Sequence, residues 1–171
     1  MPFDPEGHHR RSIRLRGFDY SRVGIYFITV TTYERERVFG EIRDGVLYPS
    51  TAGEIAASCW RQLPERFPAV ELDAFVVMPN HLHGILRITS GYAEKAPPTL
   101  GHILRAYKSL SAIAVNRALG RGERPSWQRN YYEKRISGDT ALEALRRYVA
   151  ANPANWHRDD ENPDVTATSA D

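Results

Sequence analysis

Two histidines lie two residues apart in the apolar segment VVMPNHLHGILRI, which runs from Val76 to Ile88. Side chains alternate between the two faces of a strand, so His81 and His83 point to one side while Leu82 points to the other. Neutral imidazole is a common metal ligand, and two imidazoles on one side of a sheet form half of a divalent-ion site. The same pattern also fits histidines that are only hydrogen-bonded or exposed, so it does not by itself establish a metal.

A second candidate group lies in the segment RRYVAANP near the C-terminus. At about 100° per residue, Tyr148 and Asn152 lie one turn apart on one face of a helix. A phenol and an amide oxygen therefore project together at the edge of the predicted buried face. Taken alone, Tyr148 also fits an ordinary residue at the edge of a core, and Asn152 also fits a residue that ends the helix before Pro153.

Strands and turns predict the sheet that must position these residues. The segment GIYFITVTTYERE is rich in β-branched and aromatic residues, which is typical of a strand. Asp44-Gly45 predicts a hairpin turn between two short apolar runs. Two antiparallel neighbours, over residues 70–78 and 81–88, are separated at Pro79-Asn80. The segment SWQRNYYEKRI predicts a final extended segment.

Three helices are predicted from caps and periodicity. One, in STAGEIAASCWRQLPERF, opens with cap-type residues and ends near Pro64 or shortly after. The second ends at Gly120, a typical C-cap residue, and the third, in DTALEALRRYVAANP, has a capping box of Thr140 and Glu143. The mixed order predicts a single α+β domain with a central antiparallel sheet and helices packed on one side of it. The apolar stripe of the second helix consists of Leu100, Ile103, Leu104, Tyr107, Leu110, Ile113 and Ala114.

Length and composition are consistent with one domain. A chain of 171 residues, 42% of them hydrophobic, is long enough for one sizeable core. Cys59 is the only cysteine in the sequence, and the N-terminal segment MPFDPEGHHRRSIRLRG does not resemble a signal peptide, so a reducing, cytoplasmic setting is expected. No apolar run approaches the roughly 20 residues that span a bilayer, so no membrane is expected as a partner.

The charges are unevenly distributed, although the formal net charge is only +2. Eight Lys/Arg and two Glu give the segment 101–135 a net charge of +6, and four aromatic residues are interleaved with them. This pattern suits a nucleic-acid strand, and it also fits a solvated face above buried aromatics. Five acidic residues and one Arg give residues 156–171 a net charge of −4. The expected organisation is a basic arm (1–17), a catalytic domain (18–157) and an acidic, disordered tail (158–171).

Several motifs together resemble one family. MPNHLHGIL resembles the HUH motif (histidine, hydrophobic, histidine), and YVAANP resembles the tyrosine helix of the single-tyrosine HUH transposases. RGFDYSRVGIYFITVTT, FGEI, WQRNYYE and ANPANW resemble the branch associated with repetitive extragenic palindromes (REP), the REP-associated tyrosine transposases. The resemblance covers about residues 16–156 and implies a ferredoxin-like (RRM-like) HUH endonuclease fold.

The resemblance also implies a mechanism. His81, His83 and Asn152 would bind Mg²⁺ or Mn²⁺, which polarises the scissile phosphate of single-stranded DNA. Tyr148 would be the nucleophile and would form a 5′-phosphotyrosine with a free 3′-OH. Two alternatives stay open: a DNA-hairpin-binding regulatory protein with little catalytic turnover, and a metal-dependent hydrolase of small molecules.

The family acts on DNA hairpins, which basic side chains would bind through phosphate contacts. Lys134 stands where relatives often have a histidine, which puts the role of that position in doubt. Monomers occur in the REP-associated branch, so a monomer is favoured over a homodimer. The candidate DNA-binding residues are Arg10, Arg11, Arg14, Arg16, Arg105, Lys108, Arg117, Arg121, Arg124, Arg129 and Lys134.

Overall fold

Six strands and five helices make up the part of the chain that the computed structural model describes, residues 23–90 and 97–167. The predicted basic arm, with Arg10, Arg11, Arg14 and Arg16, lies outside these residues. The strands are β1 (Gly24–Thr31), β2 (Gly40–Arg43), β3 (Val46–Pro49), β4 (Val70–Met78), β5 (His81–Ile88) and β6 (Tyr132–Ile136). The helices are α1 (Thr51–Arg61), α2 (Leu63–Arg66), α3 (Leu100–Leu119), α4 (Asp139–Ala151) and α5 (Pro163–Ala167). Two 3-10 turns cover Tyr33–Arg35 and Pro153–Arg158.

The central sheet has four antiparallel strands in the order β4, β5, β1, β6. The hairpin β2–β3 forms a separate two-stranded sheet around the predicted Asp44-Gly45 turn. In the central sheet, His83 lies opposite Thr29 and His81 lies opposite Thr31. This arrangement confirms the predicted α+β class and the predicted break between β4 and β5.

One face of the sheet packs on α1 and α3. Even-numbered residues of β5, such as Leu82 and Leu86, are fully buried there with Trp60 of α1 and Tyr107 of α3. The ring of Trp60 packs directly on the backbone of Gly84, where a Cβ would lie 2.4 Å from Cζ2 of the indole. Glycine at this position therefore allows α1 to approach the sheet closely.

The other face packs on α4. Ile85 of β5 and Phe27 of β1 form a second cluster with Leu142 and Val149 of α4. The prediction that helices pack on one side only is therefore wrong. β5 is apolar at positions on both faces, so both faces need cover to remove that surface from water.

Two local predictions for the helices are also wrong. Leu110 and Ile113 of α3 are 47% and 57% exposed, because the buried stripe passes instead through Ser111 and Val115. Ser111 is tolerated in the core because its hydroxyl donates to the carbonyl of Tyr107 and accepts from Trp127 Nε1. The predicted capping box fails because α4 begins at Asp139, so Thr140 is already inside the first turn. None of the described helices is long and apolar enough to cross a membrane.

We expect Gly84→Ala to lower the free energy of unfolding by about 1–3 kcal/mol, because the new methyl group would overlap the indole of Trp60. Urea unfolding followed by circular dichroism measures the change. In a Trp60→Leu background, Gly84→Ala should lower the free energy of unfolding by a smaller amount, because the leucine side chain leaves room for the methyl group. An equal cost in both backgrounds would show that the contact is not the cause.

Candidate metal and nucleophile centre

The two histidines of β5 face α4 and lie side by side. Their ring centroids are 4.4 Å apart, and His81 and His83 are 0% and 4% exposed. The Tyr148 hydroxyl of α4 lies 3.5 Å from Nε2 of His83. Asn152, one turn further, is also buried. The structure therefore brings together the four residues that the sequence singled out.

A hydrogen-bond network fixes which ring nitrogen of His81 carries the proton. The Asn80 side-chain amide donates from Nδ2 to the carbonyls of Arg35 and Glu161, at 3.2 and 2.7 Å. Carbonyls only accept, so the amide oxygen is the end that faces His81 Nδ1, at 2.8 Å. His81 therefore carries its proton on Nδ1 and presents an unprotonated Nε2.

That unprotonated nitrogen is surrounded by other acceptors. His81 Nε2 is buried and has no hydrogen-bond partner within residues 23–90 and 97–167, and the same is true of the Asn152 side-chain oxygen. Oδ2 of Asp159 lies 3.6 Å from Nε2. Buried acceptors without donors are costly unless a proton or a cation lies between them. The group therefore fits a bound cation.

Burial keeps both imidazoles uncharged at neutral pH. It lowers the pKa of His83 to about 3. It also lowers the pKa of His81 well below the usual value, an effect to which the neighbouring His83 adds. The Asn152 carboxamide opposes the shift at His81 from close by, although it does not reach hydrogen-bond geometry. Neutral imidazole is the form that binds metals.

The hydroxyl of Thr29, on the neighbouring strand, lies 2.8 Å from His83 Nδ1. The contact follows from the register, because His83 and Thr29 are directly opposed in β5 and β1. It holds the ring so that Nε2 points towards Tyr148. A partner on the second nitrogen is typical of metal-binding histidines.

The phenol of Tyr148 is held in its protonated form. Its ring packs against Phe27 and His83, with centroid distances of 5.9 and 5.3 Å, and the side chain is 39% exposed. Burial of the hydroxyl raises the pKa of Tyr148 to about 12, and the negative charge of Asp159 adds to the effect while Asn152 opposes it. Attack by this phenol at neutral pH therefore needs positive charge nearby.

Asp159 is the residue that the sequence analysis missed. It lies in the segment 158–171, which the sequence analysis expected to be a disordered tail and whose described residues include α5. The Asp159 side chain is 6% exposed, and its ligand atoms and those of the two histidines lie within 4.8 Å of one another. Burial raises the pKa of Asp159 to about 6, with further contributions from Glu161 and Asp160.

The basic candidates are divided between two regions. Arg105 and Arg117 are exposed on α3, which packs on the face of the sheet opposite the histidines. Lys134 of β6 is directly opposite Phe27, so it lies on the histidine face and is exposed. The loop after α3 is attached near His81, because Gln128 N–H donates to the carbonyl of Thr31.

Three of the basic candidates in and around this loop already have protein partners. The ammonium of Lys108 donates to the carbonyls of Gln128 and Arg129, and burial lowers the pKa of this lysine to about 8. Arg121 forms a two-point ion pair with Glu36 at 2.7 and 2.8 Å, and Arg124 lies 3.9 Å from the same carboxylate. These contacts hold the loop on the domain. Arg129 is exposed.

Two solved structures share this fold. One is a REP-associated tyrosine transposase bound to a REP hairpin, with 20% identity, a TM-score of 0.57, and coverage of 78% of this chain and 68% of that one. The other is a candidate transposase from Deinococcus radiodurans R1, with 17% identity, a TM-score of 0.52, and coverage of 79% and 93%. The resemblance to REP-associated tyrosine transposases is thereby confirmed at the level of the fold.

A comparison of sequences gives a relative with a higher identity to this chain than either of the two solved structures. An uncharacterized protein of Haemophilus influenzae Rd is 35% identical over 170 aligned residues, which cover 89% of this chain and 92% of the relative. The chain belongs to the same family as this Haemophilus protein. No family model matches the sequence.

We expect His81 in the metal-free protein to carry its proton on Nδ1, because Asn80 offers that nitrogen only an acceptor. A long-range ¹H–¹⁵N correlation spectrum at neutral pH distinguishes the two tautomers. Exposed His102 provides an internal reference in the same sample. A proton found on Nε2 would mean that the Asn80 amide is turned over and that no lone pair faces Asp159.

Proposed function

We propose that the protein is a metal-dependent single-stranded DNA endonuclease and strand transferase that acts on DNA hairpins through a covalent 5′-phosphotyrosine. The observation that carries the proposal is the position of the Tyr148 hydroxyl, 3.5 Å from His83 Nε2 in a centre where the buried acceptors of His81 and Asn152 have no hydrogen-bond partner among the described residues. The transposase fold supports it, as does the REP hairpin bound to one protein of that fold.

His81, His83 and Asn152 would hold Mg²⁺ or Mn²⁺ through two imidazole nitrogens and one amide oxygen. When bound, the ion supplies positive charge that polarises a phosphate and favours the phenolate. Asn80 and Thr29 orient the two rings through their Nδ1 atoms. Such outer partners preserve ligand geometry and basicity.

Tyr148 would attack the phosphorus of a phosphodiester. A bond forms between the phenolic oxygen and phosphorus, and the bond from phosphorus to the 3′ oxygen of the preceding nucleotide breaks. The phenol loses its proton to solvent, and the 3′ oxygen gains one. The ester retains the energy of the broken bond, so a second 3′-OH can reverse the step and join DNA without ATP.

Lys134 is the basic candidate best placed to contact DNA near this centre, because it lies on the histidine face beside Phe27. The contact with a phosphate would supply affinity and salt dependence but no sequence choice. Arg129 at the end of the loop could extend the same path, whereas Arg105 and Arg117 on α3 would contact a more distant part of a hairpin. The roles of the N-terminal arginines, the cytoplasmic location and the monomeric state stay predictions.

Tyr148→Phe should abolish covalent adduct formation, because it removes the attacking oxygen and leaves the ring packed on Phe27 and His83. The assay is a denaturing gel of full-length protein with a pool of labelled single-stranded hairpins, run with Mn²⁺ and with chelator. Hairpin binding by the variant should stay within a few-fold of wild type. Chelator should abolish the wild-type adduct.

Tyr132→Phe is the matched control, because this tyrosine lies on the same face and also packs on Phe27. It should form the adduct as the wild type does. If Tyr148→Phe still forms the adduct and Tyr132→Phe does not, then Tyr132 and not Tyr148 is the nucleophile. Hairpin binding by the wild type with no adduct under any condition would favour the regulatory, DNA-binding alternative, with which the high pKa of Tyr148 is compatible.

Lys134→Ala should weaken hairpin binding about fivefold at low salt and reduce the slope of log affinity against log salt by about 1, because one phosphate contact is lost. Fluorescence anisotropy at several salt concentrations measures both quantities. Arg135→Ala is the matched control: it removes the same charge from the next residue, which points to the other face and donates to the carbonyl of Val23. An equal change in both variants would argue against DNA on the histidine face.

A further inference from the structure

We propose that Asp159 is a fourth protein ligand of the cation held by His81, His83 and Asn152. The inference rests on the metal site of the proposed function and extends it to a residue outside the tyrosine helix. Two facts point to it: Oδ2 of Asp159 lies 3.6 Å from His81 Nε2, and that nitrogen is fully buried.

The first argument concerns the protons. Asn80 fixes the proton of His81 on Nδ1, so Nε2 has only a lone pair to offer Asp159. An ionised carboxylate also has only lone pairs, and two acceptors facing each other in a buried site repel. A cation bound between them removes the repulsion and uses both lone pairs.

The second argument concerns distances. Ligand atoms about 2.1 Å from one ion are separated by about 3.0–3.5 Å, for angles between octahedral and tetrahedral. The Asp159–His81 separation is close to this range, and the ligand atoms of Asp159, His81 and His83 all lie within 4.8 Å of one another. Small adjustments would therefore bring the three atoms around one ion.

The third argument is that the carboxylate is held in place by several contacts. Its other oxygen, Oδ1, accepts from the Glu161 backbone N–H at 2.8 Å, and its own backbone N–H donates to the carbonyl of Trp156 at 3.1 Å. Arg35 forms an ion pair with the Glu161 side chain at 3.3 Å. Asn80 donates to the Glu161 carbonyl, so one side chain orients both His81 and the segment that carries Asp159.

The Trp156 indole completes this arrangement. Its ring stacks on His81 with a centroid distance of 6.1 Å and an interplanar angle of 28°, and the guanidinium of Arg37 lies 5.9 Å from its centroid. Arg37 also pairs with Asp164 at 2.7 Å, which attaches the following helix. The segment that follows α4 is therefore fixed over the histidines on both sides of Asp159.

An anionic ligand changes what the site binds. Two imidazoles and an amide are neutral and bind a divalent ion without charge compensation, whereas a carboxylate adds one negative charge. Carboxylate oxygen also favours ions such as Mn²⁺ and Mg²⁺ over those that prefer nitrogen or sulfur alone. The affinity of the metal for the protein without DNA is therefore the quantity that depends on Asp159.

The test is Mn²⁺ binding to the full-length protein without DNA, measured by electron paramagnetic resonance of free Mn²⁺ and by isothermal titration. Asp159→Asn should raise the dissociation constant at least about tenfold, and Asp159→Glu, which keeps the carboxylate, should restore part of the loss. Asp160→Asn is the matched control, because it removes the same charge from the exposed neighbouring residue. It should change the constant less than about twofold.

Equal affinities in Asp159→Asn and Asp160→Asn would overturn the inference. If His83→Ala abolishes Mn²⁺ binding while Asp159→Asn retains wild-type affinity, the proposed metal site survives and the fourth ligand does not. A wild type that binds no Mn²⁺ would overturn both. Thermal unfolding of the metal-free variants controls for folding. If Asp159→Asn does not fold, Asp159→Ser is measured in its place, and a Mn²⁺ dissociation constant equal to that of the wild type would exclude coordination by residue 159.

Discussion

The candidate centre depends on the hydrogen bonds of one side chain, that of Asn80. This side chain is fully buried, and its amide links three separate segments: the turn at Arg35, the strand at His81 and the C-terminal segment at Glu161. A buried polar group left without a partner costs about 1–3 kcal/mol, so the amide has one favourable orientation. That orientation fixes the proton on His81 and, through Glu161, the position of Asp159.

The two faces of the central sheet carry different features: one face carries the main apolar core, and the other carries the candidate centre. Trp60, Tyr107 and the even-numbered residues of β5 fill the face under α1 and α3 with apolar side chains. The odd-numbered residues place His81 and His83 on the other face, where α4 covers only part of the sheet and leaves Tyr148 half exposed. Polar groups near the start of β5 can thus be buried without interrupting the main core.

The sequence predicted relations within one element better than relations between elements. His81 and His83 share a face because strand geometry requires it, and Tyr148 and Asn152 share a face because helix geometry does. The burial of Ser111 was not predictable, because it depends on a bond to Trp127 from the loop beyond the helix. Asp159 was missed for the same reason: a run of acidic residues indicates a solvated tail unless a distant side chain, here Asn80, fixes it.

The charges at the candidate centre determine which components must be present before Tyr148 can act as a nucleophile. With a carboxylate at Asp159 and a phenol whose pKa is about 12, the protein alone stabilises a proton on Tyr148 and disfavours a phosphate nearby. In the proposed reaction, a bound divalent ion would offset one carboxylate and one phosphodiester charge, and the charge of a phenolate would still have to be balanced. Lys134 lies on the same face of the sheet, and its ammonium would supply that last positive charge. Nucleophilic attack would then depend on metal, DNA and basic side chain being present together, so the free protein keeps its tyrosine unreactive.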